Sequence, residues 1–555
     1  MNHPAQSTIG QYLLNRLQEL GIEHIFGVPG DYVLRFDKLI EQHPTIQFIN
    51  TTRENTAGYA ADAYARLRGL GVACITYGVG INITNALAQA YVENSPLVVI
   101  SGTVGTDEFK RHSTLHHLIN KSIAAHGDRT QLEVFKHVTV DQGVLDQPET
   151  AAAIIDRVLQ ACLDYKKPVY FEIPRNLVDQ PIAPKAEPEP FHYQSSNPQA
   201  LQEALEETQQ VLSTCKRPLI WAGHELLRFG LSQELLQFAE QHKIPIVSSL
   251  LGKTVVDEHH PLFAGVYQGG MSRQTVIDLV ESCDCVLIAG VIMHDLDTGI
   301  FTAKVDQEHR LVANSHSLSI GHHHYHVNLT DYIKGLNTLS LKRSHSSFHT
   351  PRHAQLPPSF SPVPEAKTTT KRVFECLQTH LKPDHIIVSD VGDCLFASSD
   401  LILSHDSFLA CAYFASLGFG TPGAIGAQLA DPKRRVVGII GDGGFQMTAM
   451  ELSAAVRYQL DPVIIILNNH GYGTERPLLE GSYNDILNWN YTQIPAVLGG
   501  GVGIKVETEQ ELDEALRQAF AKRGTFYLIE IELDKLDFSP GLRRLGELLG
   551  KVVKA

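Results

Sequence analysis

Long apolar runs are missing from this 555-residue chain. No stretch approaches the ~18 residues that a membrane-spanning helix needs, so no membrane span and no membrane partner are expected. The opening segment Met1–Ser7 is polar and lacks an apolar core, so no secretory leader is expected either. Positive charge is also short: 46 Lys and Arg stand against 61 Asp and Glu, for a formal net charge of −15. Binding to a phosphate backbone needs clustered Lys and Arg, so no nucleic-acid partner is expected. Cysteine is scattered, with eight residues between Cys74 and Cys411 and only Cys283 and Cys285 close together. That spacing offers no disulfide framework, and reduced thiols in the cytoplasm are the simplest reading. No G-x-G-x-x-G follows an expected strand, which removes the main sign of a dinucleotide-binding dehydrogenase. No short repeat is present.

What is present is an ordinary globular composition, 43% hydrophobic and 19% charged, in a chain too long for one core. The N-terminal helix shows a capping box at Thr8 and Gln11, an apolar face of Leu13, Leu17 and Leu20, and a stop at Gly21. Strand His24–Val28, apolar run Ile46–Asn50, helix Asn55–Leu67, strand Val72–Thr76, helix Asn82–Glu93 and strand Leu97–Gly102 follow. Strand and helix alternate, which predicts α/β architecture with parallel sheets. Pro181–Ser196 and Ser344–Pro364 read as linkers. Strand-like runs between them are Pro218–Gly223, Pro245–Leu250, Cys285–Gly290 and Tyr325–Leu329; beyond them are His385–Ser389, Val436–Ile440, Val463–Leu467 and Phe526–Ile531. Three doubly wound domains are therefore expected, at residues 1–180, 197–343 and 365–555.

The sharpest chemical signal lies in the third block. Strand Val436–Ile440 runs into Gly441-Asp442-Gly443-Gly444, where glycines let the backbone approach a ligand and offer N–H groups to phosphate. A helix expected over Met447–Tyr458 would turn its N-terminus to the same anion. Strand Val463–Leu467 ends in Asn468-Asn469-His470-Gly471. A carboxylate and a carboxamide at neighbouring strand ends make a hard, oxygen-only site that suits Mg²⁺, completed by diphosphate, a backbone carbonyl and water. Either turn alone is common; the pair, each closing a strand, is far more specific.

This GDG…NN pattern resembles that of thiamine-diphosphate enzymes. The segment Asn468-Asn469-His470-Gly471-Tyr472-Gly473-Thr474-Glu475 is similar to the pyruvate, indolepyruvate and phenylpyruvate decarboxylase branch, and the resemblance covers nearly the whole chain. It implies pyrimidine-binding, middle and diphosphate-binding domains in that order. It implies Mg²⁺ held by Asp442, Asn469 and the carbonyl of Gly471. Cofactor contacts are implied for Glu54, Gly392, Asp393, Leu417, Asp442, Gly443, Gly444, Asn469, Gly471 and Tyr472. Leu417 matches the bulky aliphatic residue that supports the bent cofactor. Glu54 matches the glutamate that bonds the aminopyrimidine; on its own it reads as an acid at a helix N-terminus. The cofactor carries the carbanion and enamine chemistry, and the protein tunes it.

Four further residues match the decarboxylase branch: Asp31 after Pro29-Gly30, the adjacent His116 and His117, and Glu475. Each alone is an ordinary surface or turn residue, and the histidines, with His112 beside them, belong to a chain with 27. Together they suit protonation and aldehyde release near neutral pH. The resemblance thus implies a non-oxidative carboxy-lyase that takes a small-molecule 2-oxo acid to an aldehyde and CO₂, acting as at least a homodimer and commonly a homotetramer. A carboligase of the acetolactate-synthase type shares the anchor but generally lacks these four residues.

Departures from the pyruvate pattern sit in the expected substrate wall. Leu296 and Leu395 stand where bulky aromatics are usual. Thr474 replaces a β-branched aliphatic, and Gly473 replaces Thr. A freed volume favours larger 2-oxo acids, aromatic or branched, at about 0.8 kcal/mol per buried CH₂. The tract His322–His326 is read as solvated histidines leading into a strand rather than as a metal site. Gly78-Val79-Gly80 is a weak phosphate signal that, by the resemblance, approaches the pyrimidine through its backbone.

Overall fold

A computed structural model describes residues 7–111, 114–119, 128–182, 190–305, 310–341 and 360–553. His112, most of Met1–Ser7 and parts of both expected linkers lie outside them. Among the described residues no helix is long and apolar enough to cross a membrane.

Three sheets carry the fold. The first runs in the spatial order Gln47–Asn50, His24–Gly27, Gly71–Thr76, Leu97–Thr103, Val169–Pro174, Asp141–Val144, with every pairing parallel. Its central strands are buried along their whole length, as a sheet covered on both faces demands. The capping box at Thr8 and Gln11 forms, starting helix Ile9–Glu19, and Gly21 takes φ +80° just beyond it.

The second sheet is parallel across Arg310–Asn314, Cys285–Ala289, Pro218–Ala222, Ile246–Ser248 and Phe263–Val266, but Ser317–Ile320 and His323–Tyr325 add antiparallel. The expected strand Tyr325–Leu329 is thereby corrected. The edge strand begins inside the histidine tract and ends at Tyr325, because Asn328 turns the chain into helix Leu329–Leu336. His323 Nδ1 pairs with Glu207 Oε1 at 2.8 Å, and His324 bonds Ser319.

The third sheet is wholly parallel, in the order Phe408–Ala410, His385–Ser389, Arg435–Gly441, Val463–Asn468, Tyr527–Glu532, Val502–Val506. Contacts group the chain into two compact units. One is Met1–Gln194 with Pro422–Pro432 and Thr448–Leu460; the other is Ser195–Thr421 with Lys433–Met447 and Asp461–Ala555. The second and third sheets thus share one unit.

Candidate active site

Gly441 and Leu467 are register partners on adjacent central strands of the third sheet. The turns that follow them therefore emerge side by side at the carboxyl edge, where open α/β sheets bind ligands. The helix begins at Asp442 itself and runs to Thr448; a tight turn at Ala449–Glu451 then precedes helix Leu452–Arg457. The continuous helix expected over Met447–Tyr458 is thus broken and starts earlier. Gly443 and Gly444 sit in that first helix, where packing excludes side chains. A Cβ at Gly443 would lie 2.8 Å from the Tyr472 ring, and one at Gly444 3.2 Å from the Asp390 carboxyl.

Asp442 is wholly buried. Its Oδ1 accepts from Gly443 N and its Oδ2 from Gly471 N, both at 2.9 Å. Burial pushes its carboxyl up to about 6, and those two amides hold the rise in check. One end of the Asn469 carboxamide lies 3.2 Å from Asp442 Oδ1 and 2.9 Å from the Gly471 carbonyl oxygen. With nitrogen at that end, it donates to both. With oxygen there, three oxygens converge. An octahedral Mg²⁺ with bonds of about 2.1 Å spaces neighbouring ligand oxygens by about 3.0 Å, so the three groups fit the ion. Gly471 has φ +152°, and a Cβ there would strike Asn484 O at 2.0 Å. At Gly473 a Cβ would lie 2.1 Å from the far end of the same carboxamide.

A pocket opens beside this cradle, walled by Gly392, Asp393, Cys394, Leu417, Gly443, Gly444, Asn469, Tyr472, Thr474 and Glu475 among others. Leu417 is 38% exposed although apolar. The turn that presents it is strained, with Ala415 at φ 59° and Gly418 at φ 88°. Asp390, which the sequence reading missed, holds that turn: it accepts from Gly418 N at 3.1 Å and Gly420 N at 2.9 Å. Asp393 Oδ2 accepts from Ser539 N at 2.8 Å, while its Oδ1 is buried without a partner. Leu395, expected in the substrate wall, is wholly buried in the core of the third sheet, and Cys394 lines the pocket instead. Leu296 packs, partly buried, against that same core and is not among the pocket's lining residues.

The first unit holds a second constellation. Glu54 opens helix Glu54–Arg68, and its Oε2 accepts from Asn82 Nδ2 at 2.9 Å. Within the same unit Thr52 donates through N and Oγ1 to the buried Glu451 at 3.1 and 2.7 Å, which fixes the entry to that helix. Asp31, His116 and His117 gather: His116 Nε2 is 3.3 Å from Asp31 Oδ2, and the imidazole centroids are 4.4 Å apart. His117 adopts φ 67°, and its carbonyl would lie 2.1 Å from a Cβ at Gly78. Gly78 thus serves the histidine loop. Sequence reading also missed the support around this cluster. Tyr32 Oη donates to His116 O at 2.7 Å, and Arg175, bound by Glu108, approaches Asp31 Oδ2 at 3.5 Å. Only adjacency flags Tyr32, which follows Asp31; nothing flags Arg175. Glu475 and the Asp442 cradle belong to the second unit, so the expected residues fall into two separate sets.

Parallel sheets with a glycine-walled oxygen cradle at a strand edge define the class, an α/β enzyme that binds a diphosphate cofactor. Comparison with known proteins gives the particular family. Residues 7–124, 205–336 and 390–531 match the N-terminal TPP-binding, central and C-terminal TPP-binding domains of thiamine pyrophosphate enzymes. The chain is 32% identical over 552 residues to an alpha-keto-acid decarboxylase of Mycobacterium tuberculosis (strain ATCC 25618 / H37Rv), covering 98% of this chain and 97% of that one. It is 33% identical over 548 residues to an indole-3-pyruvate decarboxylase of Azospirillum brasilense, covering 97% of each. The chain belongs to the thiamine-diphosphate-dependent 2-oxo acid decarboxylase family and is a carboxy-lyase.

Proposed function

We propose that this enzyme removes CO₂ from 2-oxo acids larger than pyruvate, aromatic or branched, and releases the aldehyde. The observation that carries decarboxylation is the gathering of Asp31, His116 and His117 on the first unit. The substrate preference is supported by the name of the Azospirillum relative and by Thr474, which lines the pocket beside Glu475.

In this reading Asp442 Oδ1, the Asn469 carboxamide oxygen and the Gly471 carbonyl hold Mg²⁺, and the backbone at Gly443 and Gly444 receives the diphosphate. Asp393, Gly392 and Tyr472 complete that cradle, and Leu417 supports the bend of the cofactor. When bound, thiamine diphosphate supplies the carbon nucleophile and electron sink that loss of carboxylate requires. Glu54 keeps Oε1 for the aminopyrimidine while Asn82 fixes its other oxygen. His116 holds a proton at Nε2 that Asp31 can receive or return, and His117 and Glu475 supply further exchangeable protons. A homodimer is the smallest active form in this proposal, with a homotetramer as the assembled state and the cytoplasm as its location. The domain division in this proposal is 1–180, 197–343 and 365–555.

Steady-state kinetics on pyruvate, 2-oxoisovalerate, phenylpyruvate and indolepyruvate test the reading, with and without thiamine diphosphate and Mg²⁺. Aldehyde release with the highest kcat/KM on an aromatic or branched acid is expected. The highest value on pyruvate would overturn the preference, and condensation products in place of aldehyde would overturn the reaction.

A further inference from the structure

Among the described residues, two groups of three His, Cys, Asp or Glu side chains bring ligand atoms within 4.8 Å of one another. One is Asp31, His116 and His117, already placed in the reaction. The other is Cys376, His380 and Asp513, which the reaction does not use. Cys376 and His380 stand one turn apart on helix Thr370–His380 and share a face. Asp513 comes from helix Glu509–Ala521, which packs against the first through Val373, Leu377, Leu512 and Leu516 of the third-sheet core. His380 Nε2 lies 2.8 Å from Asp513 Oδ1. The Cys376 side chain is wholly buried, and His380 and Asp513 are 17% and 15% exposed.

We propose that Cys376, His380 and Asp513 form a binding site for a thiophilic divalent cation of the zinc type, with a fourth position open to water. A thiolate, an imidazole and a carboxylate are the donor types that Zn²⁺ takes at about 2.0–2.3 Å, which puts neighbouring ligand atoms about 3.5 Å apart. That spacing lies inside the observed cluster, so closure needs only small side-chain rotations. A sulfur donor disfavours Mg²⁺ and Ca²⁺ and separates this site from the oxygen cradle at Asp442. Arg517 engages the other carboxylate oxygen of Asp513 and leaves Oδ1 to the metal, an orienting contact of the kind that surrounds metal ligands. The neighbouring Arg372 is already occupied by Glu375 and Glu509. Burial pushes the Cys376 thiol up to about 12, so the metal-free thiol carries its proton. Binding exchanges that proton for the metal–sulfur bond and releases one proton per ion to solvent. The occupied site clips the two helices together.

The test is a titration of the full chain, loaded with thiamine diphosphate and excess Mg²⁺, with Co²⁺ as the probe. Mg²⁺ fills the oxygen cradle, and only a thiolate ligand gives the intense near-ultraviolet charge-transfer band. We expect that band to grow to one equivalent, to vanish in Cys376→Ser, and to need at least tenfold more Co²⁺ in His380→Gln. The second variant leaves the buried thiol in place, so the test survives if Cys376→Ser does not fold. Zn²⁺ should raise Tm in the wild type and not in His380→Gln, with turnover unchanged by that substitution. No band at one equivalent, a band that persists in Cys376→Ser, or equal Co²⁺ affinity in His380→Gln would overturn the site and leave an ordinary His–Asp ion pair.

Discussion

Gly473 shows what a single residue decides. The pyruvate pattern carries Thr there, so a threonine looks like a restoration. The structure says otherwise, because a Cβ would sit 2.1 Å from the Asn469 carboxamide. Gly473→Thr is expected to rotate or displace that carboxamide and raise the Mg²⁺ concentration needed for half activity by ~10–100-fold, a loss typical of disturbed metal surroundings. Titrating activity against Mg²⁺ measures it, and an unchanged midpoint would refute the clash. Gly78 is the parallel case in the first unit. Gly78→Ala forces a Cβ against the His117 carbonyl and puts a non-glycine residue at φ +81°. A kcat loss of ~10²–10⁴-fold is expected if the histidine loop moves proton-transfer groups out of reach. Cofactor affinity should change far less, and equal losses in both would point to general misfolding.

Helix Glu54–Arg68 is the element that carries Glu54, and its placement depends on a buried charge network. Arg66 forks onto Asp62 with both bonds at 2.9 Å and reaches Glu93 at 2.7 Å, with all three side chains at most 1% exposed. Gln89 also donates to Asp62 Oδ2 at 2.7 Å. Burial opposes the charged Asp62, but Arg66 outweighs it and holds the carboxyl below the usual range. That depressed value is a stabilising contribution at neutral pH, lost as pH falls through the folded-state value. Asp62→Ala leaves Arg66 buried with one partner fewer, at a cost of about 3–5 kcal/mol. Thermal or urea unfolding of the variant checks this, and a shift near zero would mean that Glu93 alone suffices. The helix Asp442–Thr448 starts five residues before the expected Met447, since Gly443 and Gly444 weigh against helix locally. Tyr472 and Asp390, close only in space, are what require glycine there.

Two buried carboxyls bind protons that the unfolded chain would release. Burial pushes Asp37 and Glu172 in the first unit up to about 7 each, from ordinary values of 3.8 and 4.5. At these two groups the folded state holds more protons than the unfolded state between about pH 4 and pH 7, so their contribution to stability falls as pH rises through that window. We expect Tm of the cofactor-free protein to be lower at about pH 8 than at about pH 5, with a flatter profile in Asp37→Asn, which keeps an acceptor for the Cys74 thiol. Identical profiles for wild type and Asp37→Asn would remove Asp37 as a source of the slope.

The alternation of strand and helix, the strand ends that carry Asp442 and Asn469, and the family whose pattern they match are all legible in the sequence. These are local properties: apolar periodicity, a capping box, and glycine or asparagine at a strand end are written within a few residues. Which side chains converge was settled by the tertiary structure. It sent Leu395 into the core and Cys394 to the pocket, reversed strand Ser317–Ile320 at the edge of the second sheet, gave Gly78 to the His117 carbonyl, and recruited Tyr32, Arg175 and Asp390. Each of those outcomes depends on atoms brought together from distant parts of the chain, where packing and desolvation act on distance in space and not on distance in sequence.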